Sequence, residues 1–204
     1  RREFSPAGAH QDTKGLALKE LQVTYSGLGG SFLLGTLAED KEDVLFQYSS
    51  QALDRNWELS PLRLPLRVDA YPDRRTEYAQ LHDVPGFIYD SLPDGWGMLL
   101  MDRLFKRRGL NPARVGPLER LAYIGNNAMG AMSFEPVAPE ALEPQMHVPI
   151  ELLASEVQEV LKGKGGELLQ KLLLIGGSPQ GARPKALVYR DPHTDAFTTA
   201  ATPG

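Results

Sequence analysis

Between residues 20 and 49 apolar side chains return at every second position. Leu21, Val23 and Tyr25 form the first such set, "SFLLGTL" continues it, and Val44, Phe46 and Tyr48 close it. A period of two puts one side of a strand in apolar surroundings and scatters the same residues around a helix. Two turn-rich clusters, "SGLGG" at 26–30 and "AEDKED" at 38–43, cut the run into three pieces. The spacing predicts a three-stranded β-meander.

Further along the period changes. "SPLRLPLRV" at 60–68 is expected to be extended, because Pro61 and Pro65 forbid a helix while Leu62, Leu64 and Leu66 recur at every second position among the arginines Arg63 and Arg67. "VPGFIYDSL" at 84–92 is a short apolar stretch. "PDGWGMLLMDRLFKRRG" then reads as a helix: Asp94 is the N-cap, and Trp96, Leu99, Leu100 and Leu104 fall at helical spacing. Lys106, Arg107 and Arg108 match the dipole of its last turn, and Gly109 stops it. "GPLERLAYIG" places Pro117 at a first helical position and Gly125 at the end. "GAMSFEPV" returns to strand, and the prolines at 136, 139 and 144 mark a linker. Ile150, Leu153, Val157, Val160 and Leu161 define one amphipathic helix, and "GELLQKLLL" a second. "KALVYR", "DPHTD" and "AFTTAA" give strand, turn and strand. The fold class expected is α+β. Residues 1–19 are expected to be a flexible leader, 20–140 one subdomain, and 141–204 helices leading into a loop and a hairpin.

Composition narrows the function classes. The net charge of −4 argues against a broad nucleic-acid surface. There is no cysteine, hence no disulfide framework and no thiolate metal site. The four histidines, His10, His82, His147 and His193, lack ligand spacing. No apolar run is long enough to span a bilayer, and the first residues have no signal-peptide core, so a cytoplasmic protein is expected.

The segment with most chemical content is "LLLIGGSPQGARPKALVYR", residues 172–190. A Walker A loop needs Lys-Ser or Lys-Thr directly after its last glycine, whereas Ala182 follows Gly181 and Lys185 comes later. A dinucleotide fingerprint or a nucleophile elbow needs a helix after the loop, and here a strand follows. Two readings remain on the residues alone. One is a surface loop after a helix end. The other is a glycine loop ahead of a hairpin whose backbone N–H groups cover phosphates, as in protein kinases. For "LPDGW" the simple reading is a turn and a cap with Trp96 in the core, and for Asn126-Asn127 it is a turn between helix and strand in which Asn tolerates left-handed backbone.

Three stretches together resemble the HipA family of serine/threonine kinases, the toxins of type II toxin–antitoxin modules. "FIYDSLPDGWGMLLMDR" resembles the family's F-x-x-L-L-P-D segment. "ERLAYIGNNAMGAMSFEP" resembles its L-L-x-x-I-G-x-D-x-x-G-A segment, with Gly125, Gly130 and Ala131 matching and Asn127 where the family commonly has aspartate. "GGSPQGARPKALV" resembles its S-x-x-G-A-x-x-K loop. Order and spacing agree over residues 20 to about 190.

The resemblance implies an N-terminal subdomain leading into the hairpin of a kinase N-lobe. It implies ATP and Mg2+ as cofactors, with the ATP loop at Gln180, Gly181, Ala182, Arg183, Pro184 and Lys185, and autophosphorylation at Ser178. Gly181, Ala182 and Lys185 match the family's identities, whereas Arg183 and Pro184 replace a commonly polar and acidic pair. It also implies a helix-turn-helix antitoxin as partner, DNA only through that antitoxin, and a tRNA synthetase or translation factor as substrate. The family's strand lysine, catalytic aspartate and magnesium ligands have no counterpart among the 204 residues. The chain is therefore expected to be the N-terminal part of such a kinase and inactive by itself. The competing expectation is a stand-alone module that binds a partner through residues 20–140 and carries a vestigial loop.

Overall fold

The structure is a computed structural model that describes residues 18–28, 30–40, 43–71, 84–128, 130–138 and 150–164, with 169, 172–173, 181, 183–185, 188–190, 193 and 197–198. The meander is present as β1 (Glu20–Gly27), β2 (Gly30–Asp40) and β3 (Asp43–Tyr48). A fourth strand, β4 (Met132–Glu135), returns from far along the chain and pairs antiparallel with β1, giving the order β3-β2-β1-β4. The stretch "GAMSFEPV" reads as a strand from its own residues, but its partner is set by tertiary packing. The period of two holds in β3, where Val44, Phe46 and Tyr48 are all buried. In β2 it breaks. Phe32 and Leu34 are buried and then Leu37, because the pairing with β1 jumps from Val23↔Gly35 to Thr24↔Leu33. That extra residue in β2 is a bulge, which switches the inward face from even to odd positions.

The segment 60–68 is not extended. Pro61 starts a tight turn in which the amides of Arg63 and Leu64 both donate to the Ser60 carbonyl. Pro has the fixed φ that a turn's second position needs, so the residue that forbids a helix also favours a turn over a strand. Leu64 enters the core, its carbonyl accepting from the Tyr48 hydroxyl at 2.8 Å, and Leu66 packs half-buried against it, while Leu62 is 93% exposed. Burial pushes the Tyr48 hydroxyl up to about 12, with Tyr71 and Glu58 adding to the shift.

Helices cover the sheet and join one another. α1 (Ser50–Asp54) is capped by Ser49, whose Oγ accepts from the Ala52 amide at 3.1 Å. α2 (Gly86–Tyr89) places Phe87 edge-on to Phe46 of β3, with ring centroids 5.3 Å apart. α3 (Gly95–Arg107) buries Trp96, Leu100, Met101, Leu104 and Phe105. Leu99, assigned to the apolar face by spacing, is 39% exposed, and Met101 and Phe105 take its place. The helix ends as expected, with Lys106 and Arg107 in the last turn and Gly109 at a φ of 76°.

α4 (Pro117–Ile124) is buried at every position from Leu118 onward except Glu119, and that includes Arg120, which is 8% exposed. Gly125, at a φ of 54°, ends it, and Val137 packs against that glycine where a Cβ would stand. The left-handed angles around this turn fall on Gly125 and Gly130; neither Asn126 nor Asn127 adopts one. Ala138, in the expected linker, is buried and donates its N–H to the Ala122 carbonyl at 2.9 Å. α5 (Ile150–Leu161) buries Leu153 and Val160, while Leu161 is exposed. Leu169, Leu172 and Leu173 are buried at helical spacing. β5 (Tyr189–Arg190) and β6 (Phe197–Thr198) form a separate antiparallel pair.

One tie between α3 and α4 is polar. The Arg120 guanidinium makes a 2.9 Å ion pair with Asp102 and donates to the Pro112 carbonyl at 3.0 Å and the Val115 carbonyl at 3.4 Å. It also lies 3.0 Å from the Met98 sulfur. A planar fork of five N–H donors can satisfy several acceptors at once, which an ammonium cannot. Arg120→Ala is expected to cost about 3 kcal/mol, since it leaves the partly buried Asp102 carboxylate without its ion-pair partner and the Val115 carbonyl without its donor. Arg120→Lys should recover less than half of that loss. Urea denaturation at neutral pH checks both; a lysine variant as stable as the parent would show that the charge alone matters.

The neighbouring Glu119 accepts from the Gly116 amide at 2.8 Å and so closes the first turn of α4. Burial raises its carboxyl above the ordinary value of 4.5, the Gly116 bond works in the opposite direction, and Glu39 adds to the rise. A carboxyl whose folded-state pKa is raised gives stability that is present below the unfolded pKa and lost as pH rises through the folded one. Glu119→Gln keeps an acceptor for Gly116 without the charge. Its urea midpoint is therefore expected to exceed the parent's at about pH 7, with the gap closing below about pH 4.

Candidate functional site

Gly181 of the glycine loop lies against the first turn of α3. Its N–H donates to the Asp94 carboxylate at 2.8 Å, and its carbonyl accepts from the Trp96 amide at 3.0 Å. The two segments are 87 residues apart in sequence. Asp94 occupies the cap position of α3, yet its side chain makes no capping bond to its own helix. A helix leaves its first N–H groups without intrahelical partners, and the cap side chain ordinarily accepts from the second or third. Here the two functions are exchanged: the Gly181 carbonyl takes the Trp96 amide, and the Asp94 carboxylate is released to take the loop. The bond from Gly181 to a partly buried carboxylate is charge-assisted, worth about 1.5–3 kcal/mol.

The backbone at Gly181 has a φ of 119°, a region closed to ordinary side chains. A Cβ built there would stand 2.6 Å from the Lys185 ammonium. Glycine thus serves twice: it permits the angle, and it lets the lysine head lie beside the loop backbone. Arg183, Pro184 and Lys185 are all exposed. Gln180, Ala182 and Ser178 lie outside the described residues, as do Gly176, Gly177 and Pro179. Of the six residues assigned to the ATP loop, the structure therefore describes Gly181, Arg183, Pro184 and Lys185, and brings Gly181 and Lys185 together.

The helix under the loop is held firmly. Trp96 is 2% exposed and Leu100 and Met101 are fully buried. Phe105 meets Tyr123 of α4 edge-on at 4.9 Å between centroids, and Arg103 donates to the Val160 carbonyl at the end of α5. Asp94 is the site residue that sequence reasoning missed. It reads as an N-cap, and nothing local says that its carboxylate turns away from its helix. The one available signal is that "LPDGW" and "SPQGARPK" are both motif segments, which gives a reason to test them for contact.

Among the described residues no group of His, Asp and Glu could hold a metal ion, and no helix is long and apolar enough to cross a membrane. No curated protein and no solved structure shows a significant match to the chain. The family profile of the HipA N-terminal domain matches residues 28–135. That span starts at the β1–β2 turn, ends with β4, and contains α3 with the whole Arg120 network. Since the match covers a little over half of the 204 residues, the chain belongs to the HipA N-terminal domain family.

Proposed function

We propose that this chain is the N-terminal region of a HipA-like toxin kinase that uses ATP and Mg2+ to phosphorylate protein serine, inhibits translation and arrests growth. The family domain supports the toxin part of the reading. The observation that carries the kinase part is the docking of Gly181 on α3: the loop motif is fastened to the family domain by two hydrogen bonds of its backbone. The local chemistry suits a polyphosphate. Arg183 and Lys185 are exposed cations beside a glycine backbone that no Cβ obstructs. Gln180, Gly181, Ala182, Arg183, Pro184 and Lys185 would line the nucleotide, with Lys185 as a point charge and the peptide groups as donors. Pro184 offers no N–H and so contributes none of those donors.

In this reading Ser178 is the phosphorylated loop serine. A phosphate there adds about −1.5 to −2 charges where nucleotide phosphates have to lie, and so disfavours the bound loop. The reading requires a catalytic aspartate and magnesium ligands in addition to what the 204 residues supply. A helix-turn-helix antitoxin is the proposed partner, and a tRNA synthetase or translation factor in the cytoplasm the proposed substrate.

The native protein is expected to transfer label from γ-labelled ATP with magnesium to serine, Ser178 included. Residues 1–204 alone should transfer none and bind ATP at least about a hundredfold more weakly, since several charge-assisted contacts are missing. Phosphate transfer and calorimetry check this. A native protein that binds its partner but neither binds ATP nor takes up label overturns the kinase reading in favour of an interaction module.

A further inference from the structure

We propose that Asp94 is a positioning residue for the glycine loop: its carboxylate fixes Gly181 so that the loop is held in one shape before nucleotide arrives. The inference rests on the nucleotide reading above and assigns to this side chain a part beyond capping.

Three observations carry it. First, the Asp94 carboxylate makes no capping bond within α3 and instead accepts from the Gly181 N–H at 2.8 Å. Secondly, the two bonds at Gly181 fall on both sides of the same Cα. The N–H belongs to the peptide before it and the carbonyl to the peptide after it, so both flanking planes are set relative to α3. For a glycine at a φ of 119°, which has more backbone freedom to lose than any other residue, that is the needed restraint. Thirdly, the anchor is rigid, because the first turn of α3 is pinned by buried Trp96 and, one turn on, by Leu100 and Met101. A binding loop held by a rigid element loses less entropy when its ligand binds. The cations Arg183 and Lys185 follow the clamped glycine within four residues, so their reach is measured from a fixed point.

A carboxylate next to a phosphate site also repels the ligand. Positioning requires that the ordering gain exceed this repulsion, and the conservative variant separates the two. Asp94→Ala removes the acceptor. Asp94→Asn keeps a carbonyl oxygen for the Gly181 N–H and removes the charge.

The first arm needs no nucleotide. Amide hydrogen exchange at Gly181 in residues 1–204 is expected to speed up about tenfold or more in Asp94→Ala and to stay near the parent's rate in Asp94→Asn. The second arm measures binding of Mg-ATP to the native protein. Its Kd is expected to rise about tenfold in Asp94→Ala and to be largely restored in Asp94→Asn. Unchanged exchange at Gly181 in Asp94→Ala overturns the positioning role whether or not ATP binds. Faster exchange with an unchanged Kd shows that the clamp does not serve nucleotide, and overturns it too. Tighter ATP binding by either variant identifies Asp94 as a competitor for the loop amide and reverses the proposal. A parent protein that fails to bind Mg-ATP overturns the nucleotide reading itself, and the exchange arm still reports on the contact.

Discussion

The placement of α3 depends on one buried guanidinium. Arg120 reaches from α4 to Asp102 on α3 and to two carbonyls of the segment that joins the helices. It adds a polar tie to the apolar packing of α3, across a connection in which the Val115 amide already donates to the Pro112 carbonyl. A single fork of N–H groups supplies the Val115 carbonyl with a donor, gives the Pro112 carbonyl a second one, and meets the Asp102 carboxylate at the same time. The edge-on contact of Phe105 with Tyr123 and the reach of Arg103 to the Val160 carbonyl then restrict α3 on two further sides. With its axis set in this way, the helix presents its N-terminus to Gly181. The geometry of the loop contact is thus a consequence of a polar cluster on the opposite part of the same helix.

The periodic parts of this fold are legible in the residues, and the long-range parts are not. β3 and the end of α4 follow directly from the alternation of Val44, Phe46 and Tyr48 and from Pro117 with Gly125. The bulge in β2 escapes such a reading because an extra residue changes parity without changing composition. Spacing places Leu99 inward because it does not fix which edge of an apolar stripe is wet; Met101 and Phe105 decide that by packing. The extended expectation for 60–68 gives way to a turn because proline exclusion from helices says nothing against turns, and the Ser60 carbonyl has two amides within reach.

For the site, glycine and lysine at 181 and 185 leave two readings open on the residues alone, a surface loop or a loop that covers phosphates. Asp94 carries a misleading one. Asp before Gly-Trp at a helix start is what a self-capping helix looks like, and the same residue serves equally well as an acceptor for another segment. The difference lies in whether an external carbonyl satisfies the Trp96 amide, which depends on a residue 87 positions beyond Asp94. Local propensity fixes that a polar acceptor is needed at the end of α3, but not which donor it receives.

The exchange of partners at that end has a thermodynamic consequence. The Gly181 carbonyl satisfies a helix amide, and a helix carboxylate satisfies the Gly181 amide, so each segment completes the other's hydrogen bonding. Undocking the loop exposes an orphan amide at the second position of α3 and returns the Asp94 carboxylate to its own helix or to water. Docking and the order of the first turn of α3 are therefore linked, and linkage is reciprocal: a ligand that orders the loop tightens the helix start, and whatever holds the helix start favours the docked loop. Because α3 is tied at its middle to Arg120 and towards its end to Tyr123, the helix start is the fixed reference of the pair. The family domain thereby holds Gly181 by two hydrogen bonds, one on each side of a single Cα, and the coupling between the two segments resides in those bonds.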